Sequence, residues 1–277
     1  MQSLRSSATP RYLTILLASW ALMWAALPVN GQSEQLHMEP LHNSGQGVTA
    51  AYEGWFKNPD GSFSMLFGYF NRNLQEELDI PVGDSNRIEP GPPDQGQPTH
   101  FLPRRQWGLF TVTVPQNFGT DKLTWTIVVN GLATAVPAHL DQRWEISPFS
   151  DVGIGNTPPF ISFEEGGLSA QGPRGITIAL ETTMPNPVTL NVWAADDAKT
   201  FQGGKAPDTP PVIVTWSKFR GPGTVKFANN KPPVEKSDRK WNPAPAFSGK
   251  ATTTATMSMT TSISSSGGRL PALRLSP

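Results

Sequence analysis

The 277-residue chain contains no cysteine. Disulfides, thiolate metal sites, cysteine nucleophiles and thiol redox chemistry are therefore excluded. Charge is also sparse: 22 basic and 22 acidic side chains make up 16% of the residues and cancel. That balance leaves no electrostatic footprint for nucleic acid, and no partner of that class is expected. Histidine occurs only at 37, 42, 100 and 139. His37 and His42 lie five residues apart in a polar segment, which does not suit a helical metal pair. No "GxSxG", no "HExxH", no phosphate-cradling glycine loop and no dinucleotide fingerprint is found. After the N-terminal region no segment is apolar enough to cross a membrane. What the chain does have is Gly (25) and Pro (28), an excess that suits an all-β protein with many turns.

The one long apolar run is "YLTILLASWALMWAALPV", Tyr12 to Val29, preceded by Arg5 and Arg11 with no acid before Glu34. "VNG", residues 29–31, ends it with a cleavable pattern. This is the layout of a secretory signal peptide over 1–31, and it predicts a secreted or periplasmic protein. The alternative is a retained membrane anchor, for which the apolar core is short. Loss of the two arginines leaves a mature chain with a net charge of about −2. A flexible leader is expected over 32–47.

From Val48 onwards the pattern is period-2 alternation, the mark of half-buried strands. Phe63, Met65, Phe67 and Tyr69 share one face. So do Leu78, Ile80 and Val82; Phe110, Val112 and Val114; and Leu123, Trp125, Ile127 and Val129. Asn130-Gly131 is a hairpin signal. "SNRIEPGPPDQGQPTHFLP" is too rich in Pro and Gly for a regular element and reads as a long loop. "QRWEISPF" reads as one more short strand, and "NLQEELD" as the one tolerable helical stretch. Five or six strands over 48–150 make a first β-sandwich. "GIGNTPPF", residues 153–160, marks a boundary. Beyond it, "GITIALE", "PVTLNVWAADD", "PVIVTWSKF", "GTVKFA" and "KATTTATMSM" repeat the pattern over 158–259. "VIVTWSKFRGPGTVKFANN" reads as two paired strands around a Gly-Pro-Gly corner, with Trp216 as the plug between sheets.

The order "PVTLNVWAADD", "VTWSKFRGPGTVKFANN", "ATTTATMS" resembles the immunoglobulin-like repeats of the polycystic-kidney-disease (PKD) type in exported bacterial proteins. The match runs from about Pro187 to Ser258. The resemblance implies an immunoglobulin-like sandwich and no activity, because such folds host many roles. It also implies a further turn and a last strand after Ser258. Here the chain instead reads "MTTSISSSGGRLPALRLSP", and 12 of the 27 residues from Ala251 are Ser or Thr. The last strand is expected to be absent or replaced, leaving an exposed edge and a less stable second domain. Residues 260–277 are then a truncated or frame-shifted strand, or a natural disordered tail. "GYFNRN" and "HFLPRRQWG" in the first half resemble segments of uncharacterised exported proteins and carry no mechanism.

Candidate chemistry is thin. Arg104 and Arg105 beside Phe101 and Trp107, with His100 nearby, read either as a ligand-binding set that suits an anion or a sugar or as an edge of the core in which Trp107 plugs and the two arginines face water. Asp196, Asp197 and Asp208 flank a loop at one end of the second sandwich and are candidate oxygen ligands for calcium. Glu76, Glu77 and Asp79 form one short acidic run, which reads as a solvated face rather than a pair across a cleft. Asn71-Arg72-Asn73 reads as a polar turn. The expectation is an exported, non-catalytic binding or scaffolding protein with two antiparallel β-sandwich domains, meeting a cell-surface carbohydrate or protein. The alternative is an exported hydrolase with a loop-built site around Asp94, His100 and Arg104.

Overall fold

A computed structural model describes residues 41–258 apart from 152, 154, 176, 177, 184, 185, 200–210 and 243, and apart from the side chain of Arg174. The expected signal peptide, most of the leader, the tail from 260 and Asp208 lie outside the described residues. The protein is all-β, with antiparallel sheets and no α-helix among the described residues.

The first half contributes eight strands: β1 (Val48–Lys57), β2 (Phe63–Asn71), β3 (Leu78–Asp79), β4 (Asn86–Glu89), β5 (His100–Phe101), β6 (Arg104–Val114), β7 (Leu123–Val129) and β8 (Leu132–Ala138). One sheet has the order β1-β2-β6 and a second the order β4-β7-β8, while β3 pairs with β5. Alternation decides which residues face inward. Met65, Phe67 and Tyr69 from β2, Phe110, Val112 and Val114 from β6, and Leu123, Trp125 and Ile127 from β7 join one buried cluster. Trp125 is its centre, edge-on to Phe67 and Phe110 at centroid distances of 5.9 and 5.1 Å. The β7–β8 hairpin turns at Asn130-Gly131, both at positive φ (53° and 77°), as the sequence signal requires.

The presumed long loop contains two strands. β4 pairs with β7 because Asn86 and Ile88 alternate inward, with the Asn86 side chain acting as a polar bolt. Its Nδ2 donates to the carbonyls of Ile80 and Pro98, and its Oδ1 accepts from Trp125 Nε1 at 3.0 Å. Asn71 and Asn73 are likewise fully buried rather than a solvated turn. They tie the end of β2 to Gln46, Glu76 and Phe101 through main-chain carbonyls. "QRWEISPF" forms a 3-10 turn over Gln142–Trp144 and a single bridge to Trp55, not a strand. "NLQEELD" forms a bend and then the short strand β3, not a helix.

The second half contributes β9 (Phe160–Ser162), β10 (Ala170–Gln171), β11 (Val188–Asp196), β12 (Thr224–Phe227), β13 (Glu235–Lys236) and β14 (Phe247–Ser258). They form one sheet, in the order β10-β9-β11-β14-β12, with β13 also on β14. Leu190 and Val192 from β11 and Ala251 and Ala255 from β14 pack under Val212, Val214 and Trp216. "GITIALE" forms no strand among the described residues, although Ile178 and Leu180 pack on this cluster. Trp216 plugs the core as expected, at 1% exposure.

The expected strand pair around Gly-Pro-Gly is splayed. Among the described residues Val212 to Phe219 forms no ladder, and the main-chain bond between the arms is Trp216 N donating to Asn230 O at 2.8 Å. The reason lies in the first half, which captures the corner. Phe219 packs on the first cluster, and its carbonyl accepts from Thr99 N and His100 N, both at 3.2 Å. Gly221 N donates to Thr99 Oγ1, and Arg220 pairs with Asp94 at 2.7 Å. The described residues accordingly belong to one compact unit.

Candidate functional site

Two bulges place the first group of polar side chains. On β1 the register slips between Tyr52 and Gly54, which leaves Glu53 unpaired in the ladder. On β6 it slips between Gln106 and Phe110, so Trp107, Gly108 and Leu109 together oppose Gly68 of β2. Such bulges re-aim side chains. Glu53 fills the gap: its Oε1 pairs with Arg105 Nη2 at 2.6 Å and its Oε2 accepts from Gly108 N at 2.7 Å. Arg105 Nη1 also donates to the carbonyls of Tyr69 and Gln106. Gly68 is required here, because a Cβ would run into the Glu53 carboxylate and the Gln106 carbonyl. The guanidinium of Arg105, fixed by three hydrogen bonds, lies 3.8 Å from the centre of the Trp107 ring. Trp107 is nonetheless 69% exposed. The result is an exposed indole stacked on a guanidinium that is itself held by three hydrogen bonds. Arg104, the first residue of β6, is exposed and has φ of 69°.

The second group lies where the Lys218–Gly221 corner meets β3 and β5. His100 is nearly buried, with Nδ1 2.9 Å from Asp79 Oδ1 and Nε2 3.1 Å from Glu77 Oε2. Lys218, also nearly buried, donates to the same Asp79 oxygen at 2.8 Å and to the Gly223 carbonyl at 2.8 Å. The acidic run thus contributes two carboxylates that bracket a histidine. Burial pushes the Asp79 carboxyl up, but the bonds from Lys218 and His100 outweigh it and hold the group below the usual carboxylate range. The Arg220 hydrogen bond does the same for Asp94. A carboxyl lowered on folding stabilises the protein above its unfolded value of about 3.9, and that contribution is lost as pH falls through the lowered value. The stability difference between wild type and Asp79→Asn is therefore expected to shrink as pH falls below about 4, read from urea midpoints.

The structure separates several residues that the sequence grouped. His100 belongs to the joint, whereas Arg105 and Trp107 belong to the outer face of the β1-β2-β6 sheet. Among the described residues no hydrogen bond or ion pair joins Asp94, His100 and Arg104: Asp94 holds Arg220 and His100 holds Asp79 and Glu77. Asp196 Oδ1 accepts from Ala198 N, and Asp197 Oδ2 accepts from Thr157 N and Oγ1. Burial raises the Asp196 carboxyl, helped by its neighbour Asp197. No group of three or more His, Asp or Glu side chains able to hold a metal occurs among the described residues. Glu53, Gly68 and Lys218 escaped sequence reading because their partners lie 15 to 139 positions away, as Gly68 with Glu53 and Lys218 with Asp79 show. The one local hint was Gly108 beside Trp107, a glycine inside a strand pattern, which marks a bulge.

No helix among the described residues is long and apolar enough to cross a membrane. Comparison with protein-family models, with curated proteins and with solved structures returns no match.

Proposed function

We propose that this chain is an exported, non-catalytic carbohydrate-binding protein whose recognition surface is the outer face of the β1-β2-β6 sheet, centred on Trp107. The observation that carries this reading is the exposed indole clamped by the Glu53–Arg105 pair. An aromatic ring held rigid before binding loses little entropy when a ligand lands on it. Its apolar face suits the C–H face of a sugar ring, and the flanking guanidinium donates to hydroxyls or carboxylates. A protein partner fits less well. It needs about 800 Å² of surface on each side, while the exposed large apolar residues of this face are Trp107 and Phe70. The N-terminal layout of charge, apolar run and small residues supports export, and the second half supports a spacer or scaffold of immunoglobulin-like, PKD-type character.

The test is co-sedimentation of the purified chain with insoluble polysaccharides such as cellulose, chitin and xylan. Wild type is expected to sediment with at least one, and Trp107→Ala to bind at least tenfold more weakly with an unchanged circular dichroism spectrum. Retention by Trp107→Ala at the wild-type level overturns the reading.

A further inference from the structure

Two further cations stand beside the Trp107 mount. Arg72 follows β2, and its N donates to Gly47 O at 3.1 Å, which carries the β1–β2 ladder one residue further. Alternation therefore places Arg72 with Gly68 and Phe70 on the outer face, where Phe70 pairs with Arg105. Arg104 opens β6 and pairs in register with Asn71. Directly opposed residues share a face, and Asn71 is fully buried on the inner one. An ordinary extended residue at 104 would be buried with it. A φ of 69° takes Arg104 out of that alternation, and the residue is exposed. A long side chain at positive φ is strained, and such strain collects at binding sites. Asn130, also at positive φ, sits in the hairpin turn that needs it, whereas Arg104 stands in a strand.

Among the described residues neither Arg72 nor Arg104 has an ion pair or a side-chain hydrogen bond. The carboxylates of the adjoining segments are committed elsewhere. Glu53 holds Arg105 and the Gly108 amide, Glu76 accepts from the Gly45 amide at 2.6 Å, and Glu77 contacts His100. Guanidinium groups pair with oxyanions through parallel N–H donors. A neutral sugar chain on Trp107 leaves both cations without a partner. A chain with acidic substituents meets them on neighbouring strands, whose backbones lie roughly 5 Å apart, a length comparable to one sugar unit.

We propose that the Trp107 surface selects acidic polysaccharides, with the indole stacked on a sugar face and Arg72 and Arg104 paired with uronate carboxylates or sulfate esters along the chain. This inference rests on the reading of Trp107 as a sugar platform and adds the charge of the ligand.

Calorimetric titration of the full chain with sugar hexamers tests it. An exposed ion pair contributes up to about fivefold in affinity. In 10 mM salt, wild type is expected to bind hexagalacturonate or a sulfated carrageenan hexamer at least fivefold more tightly than the best bound of cellohexaose, chitohexaose and xylohexaose. The tighter of the two acids identifies the anionic group. That advantage is expected to fall below twofold in 1 M salt, as the screening length drops from about 30 to about 3 Å. Arg72→Gln/Arg104→Gln is expected to lose the advantage in 10 mM salt as well. Trp107→Ala is expected to weaken acidic and neutral hexamers alike. Equal affinity of wild type for acidic and neutral hexamers overturns the inference and leaves the sugar platform standing, as does an advantage that survives in the double variant. Single-stranded DNA bound as tightly as the acidic hexamers makes the patch a general polyanion site and also overturns it. Wild-type affinity in Trp107→Ala, or no binding of the three neutral hexamers by wild type, removes the platform and the inference with it.

Discussion

Replacing Trp125 by alanine is expected to lower the free energy of unfolding by about 3–5 kcal/mol, the range for deleting a fully buried large aromatic side chain. The site offers little means of relaxation. Trp125 lies edge-on to Phe67 and Phe110, with Phe101 also within 6.4 Å, so its ring holds both sheets of the first half apart at one point. Its Nε1 is also the partner of Asn86 Oδ1, and truncation leaves that buried oxygen unpaired. Asn86 in turn fastens β4 to the Ile80 and Pro98 carbonyls. Urea unfolding followed by circular dichroism measures the loss. Trp125→Phe, which keeps a six-membered ring but loses the five-membered ring with its N–H, is expected to recover part of it. Equal losses for Phe and Ala would assign the effect to the hydrogen bond and not to packing.

Glu53→Ala is expected to cost about 2–4 kcal/mol, below the value for a fully buried broken pair because Arg105 retains some solvent contact. The carboxylate satisfies both Arg105 and the Gly108 amide, so its removal strands two donors. The double variant Glu53→Ala/Arg105→Ala is expected to be more stable than the Glu53→Ala single, because the unpaired cation is gone. Thermal unfolding of the wild type, both singles and the double closes this cycle. A double variant whose loss equals the sum of the singles would show that the two groups do not act together. Glu53→Ala is also expected to weaken polysaccharide binding, since Trp107 then loses the fixed guanidinium beneath it.

Strand content was legible wherever period-2 alternation ran unbroken. β6, β7 and β14 show their inward faces because every second residue is mostly Thr, whereas β2 and β11 keep a readable inward face although Leu66, Phe70 and Trp193 interrupt the alternation. β4 and β5 were hidden inside Pro- and Gly-rich sequence, since their pairing is decided by buried asparagine and by distant strands rather than by local propensity. The Gly-Pro-Gly corner was legible as a corner, and Trp216 as a plug. That the two arms stand apart was not, because the competing acceptor and donors for the first arm are Thr99, His100 and Asp94, over a hundred positions earlier. The candidate site divides in the same way. Trp107 and Arg105 were read from adjacency, whereas Glu53, which holds them, enters only through two opposed bulges.

The central claim is that Trp107 on its Glu53–Arg105 mount is the recognition surface. Calorimetric titration with soluble oligosaccharides of cellulose, chitin and xylan tests it most directly, comparing wild type with Trp107→Ala and with Trp144→Ala. Trp144 is also exposed but stacks on Tyr52 and not on Arg105. The predicted result is saturable binding by wild type and Trp144→Ala and at least a tenfold loss for Trp107→Ala. Wild-type affinity in Trp107→Ala, or no binding of any of these sugars by the wild type, would contradict it.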